Sequence, residues 1–248
     1  MTIQLDGAVV ASTMRTPGHD FELAAGYCWT EGLLHGAPVD EIRYCSTGSA
    51  VETHFNVVDV GTAGRAPVPR PRLAASTSSC GWCGSDQLDD LIGRLAPLPA
   101  SDPIALDVIL SMPERMSDHQ PLHAATGAVH AAALVTGDGD IVVAREDVGR
   151  HNAVDKVIGS QLLAGNLPAA GHGLFVSSRA SVEIVQKAWS AGCSTLVAVS
   201  APTALAVDAA RRAGMTLVGF VRDGTANVYA PERFPAPVAA GPADGDGR

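Results

Sequence analysis

Residues 174–225 read LFVSSRASVEIVQKAWSAGCSTLVAVSAPTALAVDAARRAGMTLVGFVRDGT, and this stretch decides the fold. Three short apolar runs have the composition of buried strands: Leu174–Ser177, Thr195–Ser200 and Thr216–Val221. Two segments with the apolar spacing of helices separate them: Ser181–Ala191 and Thr203–Ala213. Strands that alternate with helices of this length predict a mixed or parallel sheet covered by helices on both faces.

The segment that precedes this stretch extends the same domain. Ala128–Val135 and Ile141–Arg145 flank the turn Gly137–Asp140, a pattern that predicts a β-hairpin. His151–Leu163 has the spacing of a helix. We therefore predict one α/β domain over residues 124–233. We interpret residues 234–248, which are rich in Pro, Ala, Gly and Asp, as a disordered tail.

The amino-terminal part, residues 1–115, is predicted to be a smaller α+β region. Thr16 and Pro17 open its first helix, with Thr16 as the cap. Further elements are predicted as strands over Glu41–Cys45 and Val51–Val60, and as helices over Asp86–Leu95 and from Pro103 to about Met112. Residues 61–85 are interpreted as an irregular, mobile loop, because prolines, glycines and serines dominate them.

The charge of the chain is acidic, with 17 Lys and Arg residues against 26 Asp and Glu residues and a formal net charge of −9. A negative surface disfavours nucleic acids and anionic lipids as partners. The apolar stretches are too short to cross a bilayer, and the first residues lack the basic start and apolar core of a signal peptide. We therefore expect a cytoplasmic protein.

The chain has five cysteines, an odd number that does not suit a disulfide framework. Cys28, Cys45 and Cys193 lie in or beside apolar segments, and we interpret them as small core residues. Cys80 and Cys83 differ from these, because they form the motif SCGWCG within a polar segment.

The spacing of Cys80 and Cys83 leaves three interpretations open. Structural zinc needs four ligands, and His119 and His123 lie much further along the chain than a zinc-finger spacing allows. A thioredoxin-like dithiol stands at a helix start behind a strand, which the loop flanks do not match. A mobile nucleophilic thiol fits the glycines beside both cysteines. Arginines that would lower its pKa on close approach are Arg65, Arg70 and Arg72.

Polar turns follow the predicted strands at each junction with the next element. They are Arg145–Asn152, Ser177–Ser181, Ser200–Thr203 and Phe220–Thr225. Ligands of open α/β sheets bind beyond the carboxyl ends of the strands, where helix starts favour anions. Arg179 and Arg222 suit bidentate contacts with phosphate. These turns therefore predict a phosphate-binding crevice, although no G-x-G-x-x-G or Walker loop supports an ordinary NAD or ATP site.

The first of these turns also has an interpretation without a ligand. Arg145 and Glu146 would then form a pair on the surface, and His151 would only cap the following helix.

Together these motifs resemble the FdhD family of formate dehydrogenase accessory proteins. The resemblance covers nearly the whole chain before the tail and rests on five stretches. They are Thr16–Gly32, Ser79–Gly84, Thr126–Ala132, REDVGRHNAVDK at residues 145–156 and FVRDG at residues 220–224. The long run that ends in Asp155 and Lys156 is the most specific of them.

The resemblance implies a sulfur carrier, a sulfurtransferase. Such a protein takes sulfur from a cysteine desulfurase as a cysteine persulfide. It then passes the sulfur to molybdenum in the bis(molybdopterin guanine dinucleotide) cofactor, before that cofactor enters formate dehydrogenase. The persulfide cysteine corresponds to Cys80, with Cys83 as a resolving or protecting partner. The cofactor-binding segment corresponds to Phe220, Val221, Arg222, Asp223, Gly224 and Thr225. Further contacts to the guanine nucleotide are expected from Arg150, His151, Asn152 and Arg179, and a homodimer is implied.

The family fold is similar to that of cytidine deaminases, which implies a three-layer domain around a mixed sheet. A zinc deaminase has His-x-Glu at one helix start and Pro-Cys-x-x-Cys at the next. This chain has His151-Asn152-Ala153 and Ser178-Arg179-Ala180-Ser181 at these places, so we expect neither zinc nor deamination. An alternative function is that of a chaperone, which would bind and protect the guanine dinucleotide cofactor without using the cysteines.

Overall fold

The structure is a computed structural model that describes residues 1–45, 49–68, 93 and 95–234. Cys80, Cys83, most of the predicted loop and nearly all of the predicted helix Asp86–Leu95 lie outside these residues, as does the predicted tail beyond residue 234.

The described residues form two sheets and the helices that pack on them. The strands are β1 (Thr2–Leu5), β2 (Ala8–Ser12), β3 (Glu41–Tyr44), β4 (Val57–Gly61), β5 (His130–Val135), β6 (Ile141–Asp147), β7 (Gly173–Val176), β8 (Thr195–Ala198), β9 (Thr216–Arg222) and β10 (Thr225–Ala230). The helices are α1 (Asp20–Thr30), α2 (Leu106–Ser117), α3 (Pro121–Thr126), α4 (Arg150–Leu163), α5 (Val182–Ser190) and α6 (Ala204–Ala213).

The larger sheet has six strands in the order β10-β9-β8-β7-β5-β6. Strands β7, β8 and β9 are parallel, and the other neighbours are antiparallel. Side chains of β5 alternate between two cores: Ala132 and Leu134 pack with α4, α5 and α6, whereas Ala133 and Val135 pack with α2. The predicted mixed sheet with helices on both faces is confirmed. The likeness to cytidine deaminases stays a prediction.

The smaller sheet has four strands in the order β2-β1-β4-β3, and α1 packs on it. Strands β1 and β2 form a hairpin that was not predicted. Its turn is Asp6-Gly7, and both residues have left-handed φ angles of 47° and 80°. The predicted strand Val51–Val60 is shorter than expected, because His54 and Phe55 also adopt left-handed φ angles and keep residues 50–55 in turns.

The backbones of α1 and α4 approach each other at two glycines. A Cβ atom built on Gly26 would lie 1.8 Å from the carbonyl oxygen of Asp155, and one on Gly159 would lie 1.8 Å from that of Glu22. Only residues without a side chain permit this contact. It joins the amino-terminal region to the larger sheet, because α1 packs on the small sheet and α4 on the large one.

Two predicted helix starts are wrong. Helix α1 begins at Asp20 after His19, and Thr16 is not its cap, because the Thr16 amide and hydroxyl bind Asp147 and the Val148 N–H instead. Helix α2 begins at Leu106 and continues beyond Met112 to Ser117.

Candidate functional site at the carboxyl edge of the large sheet

The turns that follow β7, β8 and β9 meet at one edge of the large sheet. Ala180 forms a bridge with Pro202, and the N–H of Thr203 donates to the carbonyl oxygen of Ala180 at 3.0 Å. The N–H of Phe220 donates to the carbonyl oxygen of Ser200 at 3.3 Å. These contacts confirm that the three polar turns gather at the carboxyl ends of the parallel strands, where α/β proteins bind ligands.

The segment Phe220–Thr225 has an unusual backbone. Phe220 and Asp223 have left-handed φ angles of 53° and 51°, and Gly224 has a φ of 69°. A positive φ is costly for a bulky residue such as Phe, and such strain concentrates at functional positions. Val221 is fully buried, whereas Arg222 is exposed on the edge, as is Arg179 in the turn after β7. The two arginines predicted to contact phosphate are therefore accessible.

The start of α4 contains the other predicted contact residues. Nε2 of the His151 ring lies 3.5 Å from the Ser181 hydroxyl, so the starts of α4 and α5 stand side by side. Burial, with Lys187 and Arg150 nearby, lowers the pKa of His151 to about 3, and the ring is neutral at physiological pH. Asn152 is only 8% exposed, and its amide donates to the Met14 carbonyl oxygen at 2.7 Å. Asn152 therefore binds the chain at Met14 and is not exposed at the surface.

A buried ion pair fixes the start of α4 to the amino-terminal region. The Nζ atom of Lys156 lies 2.7 Å from Oδ2 of Asp147, and these side chains are 1% and 0% exposed. The Asp147 carboxylate also accepts the N–H groups of Thr16 and Gly149, and Lys156 donates to the Thr16 carbonyl oxygen. Hydrogen bonds of this kind compensate the cost of removing both charges from water. The pair therefore specifies where the chain around Thr16 lies.

Arg145 and Glu146 do not form the surface pair that the alternative interpretation expected. The Arg145 guanidinium binds both oxygens of Glu22 on α1, at 2.6 and 2.7 Å. The Glu146 carboxylate accepts the N–H groups of Leu122 and His123 in the first turn of α3, at 2.9 and 2.8 Å. Each residue thus holds a different helix against β6.

A second buried charge cluster joins α5 to α1. The Lys187 ammonium contacts both oxygens of Asp155 at 2.9 and 3.0 Å, Glu31 at 3.1 Å and the Thr30 hydroxyl at 2.8 Å. Because two carboxylates share one ammonium, the pKa of Lys187 is raised. Burial raises the pKa of Asp155 to about 6, although Lys187 opposes this.

The cysteines within the described residues are buried. Cys28 and Cys193 are fully buried and Cys45 is 8% exposed, which confirms their interpretation as core residues. Burial raises the pKa of Cys28 and raises that of Cys193 to about 12, so neither is a thiolate at neutral pH. Arg65, one of the arginines considered for the thiol of Cys80, forms a salt bridge with Asp40.

A cleft of about 460 Å³ opens beside this edge, under α3. Its lining includes Gln120, His123, Val129, His130, Ser177 and Val199. No pattern in the sequence indicates that His123 and His130 lie together in this place. The short helix α3 has no apolar periodicity that would predict it, and His130 is the first residue of the buried strand β5.

Among residues 1–45, 49–68 and 95–234, no three His, Cys, Asp or Glu side chains form a group that could hold a metal ion. In the same part of the chain, no helix has the length and apolar character needed to cross a membrane.

Comparison with known proteins establishes the relationships of this chain. A model of the FdhD/NarQ family matches residues 1–234. The chain belongs to this family.

Two members of the FdhD/NarQ family illustrate the similarity. The sulfur carrier protein FdhD of Streptomyces avermitilis is 47% identical over 242 residues, which cover 94% of this chain and 85% of that protein. The protein of the same name from Mycolicibacterium paratuberculosis is 46% identical over 237 residues, with coverage of 92% and 87%.

A solved structure supports the same conclusion for the fold. The crystal structure of a candidate formate dehydrogenase accessory protein from Desulfotalea psychrophila matches with a TM-score of 0.72 and 29% identity, covering 94% of this chain and 87% of that one. The resemblance inferred from the five sequence stretches is confirmed.

Proposed function

We propose that this chain is a sulfur carrier that delivers sulfur to a molybdenum cofactor for formate dehydrogenase. The observation that carries the proposal is the family match over residues 1–234, together with relatives of 46 to 47% identity that are named sulfur carrier proteins. The polar edge of the large sheet, on which Arg179 and Arg222 are exposed, supports a cargo site in this proposal.

In the first step, the thiolate of Cys80 attacks the terminal sulfur of a persulfide on a cysteine desulfurase. A sulfur–sulfur bond forms at Cys80, and the bond within the desulfurase persulfide breaks and leaves a thiolate there. Only a thiol that ionises near neutral pH suits this step. The buried thiols Cys28 and Cys193 fail this requirement, and Cys45 is also buried, which favours the motif of Cys80 and Cys83. Cys83 acts as a resolving or protecting partner.

The cargo in this proposal is the bis(molybdopterin guanine dinucleotide) cofactor, bound as a substrate at the carboxyl edge of the sheet. The exposed arginines Arg179 and Arg222 contact its phosphate groups, and the segment Phe220–Thr225 holds a guanine nucleotide end. Arg150 and His151 line the neighbouring helix start. Asn152 contributes by positioning this start, since its amide is already bound to Met14 and Asp147.

The partners that follow from this proposal are a cysteine desulfurase, formate dehydrogenase and a second copy of the chain. The chain would act in the cytoplasm. An alternative is a chaperone that binds the same cofactor and leaves Cys80 unused.

Intact-mass spectrometry after incubation with a cysteine desulfurase and cysteine tests the sulfur step. The native protein and Cys83→Ala are expected to gain about 32 Da, lost on reduction, whereas Cys80→Ala gains nothing. Absence of a gain in all three proteins would contradict the carrier, and intact nucleotide binding in the same samples would favour the chaperone.

Binding of GDP to two arginine variants tests the edge. Arg222→Ala should weaken binding on the order of tenfold, because a charge-assisted contact with phosphate is lost. Arg212→Ala is the matched control, because Arg212 is also exposed but lies in the last turn of α6, at the opposite edge of the sheet. Equal affinities of the two variants would exclude Arg222 from the site.

A further inference from the structure

The cleft under α3 combines apolar walls with uncharged hydrogen-bonding groups. Its apolar lining residues include Pro113, Val129, Phe175 and Val199. In the described part of the chain, no Asp, Glu, Lys or Arg side chain lines it. Burial, with Arg150 and His123 nearby, lowers the pKa of His130, so this ring is neutral at physiological pH. The cleft therefore suits an uncharged ligand, and its volume of about 460 Å³ lies in the range of ~300–1,000 Å³ that is typical of small-molecule sites.

Two of the polar lining side chains each keep one acceptor for a ligand. Nδ1 of His123 lies 3.0 Å from the carbonyl oxygen of Val129, which can only accept, so Nδ1 carries the proton and Nε2 is an acceptor. The amide nitrogen of Gln120 donates to the Met116 carbonyl oxygen at 3.2 Å. Its Oε1 atom is therefore an acceptor, and it receives no hydrogen bond from the described residues. Gln120 directly precedes α3, which contains His123, so both acceptors belong to one side of the cleft.

The opposite side of the cleft supplies a donor. Ser177 directly follows β7, and its oxygen accepts the N–H of Ala131 at 2.9 Å, which leaves the hydroxyl hydrogen available. Two acceptors and one donor complement a planar edge that carries an amino group, a ring N–H and a carbonyl oxygen. Guanine has this 2-amino-4-oxopyrimidine edge, and so do pterins, whereas adenine has an amino group beside a ring nitrogen that accepts.

We propose that this cleft binds a 2-amino-4-oxopyrimidine edge of the cofactor cargo through Gln120, His123 and the Ser177 hydroxyl. This proposal rests on the proposed function and extends it to residues outside Phe220–Thr225. A molybdopterin guanine dinucleotide carries this edge on its guanine and on its pterin, so the same chemistry has two sources. Hydrogen bonds to buried or half-buried neutral groups distinguish such an edge from that of adenine, because a mismatched pair leaves polar atoms without partners.

The position of the cleft agrees with this assignment. Ser177 precedes Arg179, a proposed phosphate contact, by two residues in the turn after β7, so their Cα atoms are at most roughly 7 Å apart. Val199 is followed by Ser200, whose carbonyl oxygen accepts the N–H of Phe220 at 3.3 Å. A heterocycle in the cleft and a phosphate beside Arg179 therefore occupy the same edge of the sheet.

The histidine ring signals in NMR spectra of the native protein, labelled at histidine, test this proposal. The probes are guanosine, neopterin and adenosine, each added separately at the same concentration. Guanosine, neopterin or both should shift the rings of His123 and His130, and the probe that does so identifies the source of the edge. Adenosine should shift neither ring. His172 is the internal control, because it precedes β7 at the opposite edge and its ring is bonded to the Ala170 carbonyl oxygen.

Analogues without the amino group sharpen this test. Inosine corresponds to guanosine and lumazine to the pterin, and each should bind on the order of tenfold more weakly than its counterpart, because one hydrogen bond is lost. Equal affinity of analogue and counterpart would overturn the assignment of the edge. Equal shifts with adenosine, or no shifts with any probe, would show that the cleft does not recognise this heterocycle.

Affinity measurements with variants supply a second test. His123→Leu and Gln120→Met each remove one acceptor and should weaken binding of the recognised probe on the order of tenfold. His119→Leu is the matched control, because His119 is exposed nearby but does not line the cleft. Unchanged affinity in both folded variants would overturn the proposal. Sulfur uptake at Cys80 is measured independently by mass, so failure of this site and failure of the carrier function are distinguishable.

Discussion

Replacement of Gly159 by Ala should separate α1 from α4. The new Cβ atom would lie 1.8 Å from the Glu22 carbonyl oxygen, whereas real Cβ contacts stay beyond 3.0 Å, so the helices must move apart by at least 1.2 Å. The oxygen belongs to the backbone of α1 and the position of the Cβ atom is fixed by the backbone of α4, so neither atom can rotate away. Overpacking of this kind costs about 1–3 kcal/mol, and occasionally more. We expect a value of about 3 kcal/mol, because the shift also strains the bonds of Arg145 to Glu22 and of Lys187 to Thr30.

Urea unfolding followed by tryptophan fluorescence measures this loss. Trp29 lies on α1 and donates from its ring nitrogen to the Ser190 carbonyl oxygen at 3.0 Å, so it reports on the same interface. Gly26→Ala should behave like Gly159→Ala, since its Cβ would meet the Asp155 carbonyl oxygen at the same distance. Gly137→Ala is the control, because no atom lies within 4 Å of its added Cβ.

The reasoning fails if Gly159→Ala unfolds within about 0.5 kcal/mol of the native protein, the range of ordinary surface substitutions. It also fails if Gly137→Ala is destabilised as strongly as Gly159→Ala. In either case the close approach of the two helices would not be a feature of the folded protein in solution.

Further predictions concern the buried charges and thiols. Lys187→Met removes the only ammonium bound to Asp155 and Glu31 among the described contacts and should cost about 3–5 kcal/mol in urea unfolding, whereas the exposed Arg212→Met should cost almost nothing. The pKa of Asp155 is raised from 3.8 to about 6 in the folded protein, so this group stabilises the fold below pH 3.8 and the stabilisation is lost as pH rises through 6. The loss amounts to up to about 3 kcal/mol. Unfolding free energies measured over a pH series should show that Asp155→Asn removes it. The lowered pKa of His151, about 3 against 6.5, has the opposite sign, so stability is lost as pH falls from 6.5 toward 3, and in the same series His151→Gln should lessen that loss. In a Cys80→Ser, Cys83→Ser double variant, a thiol reagent should label the three remaining cysteines only after unfolding, because all three are buried; rapid labelling in the native state would contradict their burial.

The strands and helices of the large sheet were predictable because their signals are local. Each strand from β7 to β9 is a short apolar run, each helix between them has its own apolar face, and Thr203 caps α6 as its position suggests. Predicted bounds differ from the observed ones by one or two residues at most of these elements. The β1–β2 hairpin also has a local signal, since Asp6-Gly7 is a preferred two-residue turn.

The roles of the residues 145–147 were not predictable, because their partners are distant in the chain. Arg145 binds Glu22, Asp147 binds Thr16, and nothing near either residue in sequence indicates the other. Thr16 is a second residue whose role depends on a partner far away in the sequence. Its position before Pro17 suggests a helix cap, but a buried carboxylate far along the chain competes for its N–H group. Long-range hydrogen bonds override local preferences wherever a charge is buried.

The same contacts explain why a stretch so distinctive in sequence contributes few exposed groups to the proposed site. Arg145 holds α1, Glu146 holds α3, and Asp147 with Lys156 holds the chain at Thr16, all around the first turn of α4. Moving any of these would displace the start of α4, on which Arg150 lies, or the helix that contains His123. A short run of residues therefore fixes the start of α4 and the position of α3, while contact with the cargo is left to residues outside that run. A motif that is characteristic of the family therefore need not contact the ligand in this protein. A preorganised binding site depends on the residues that support it as well as on those that contact the ligand.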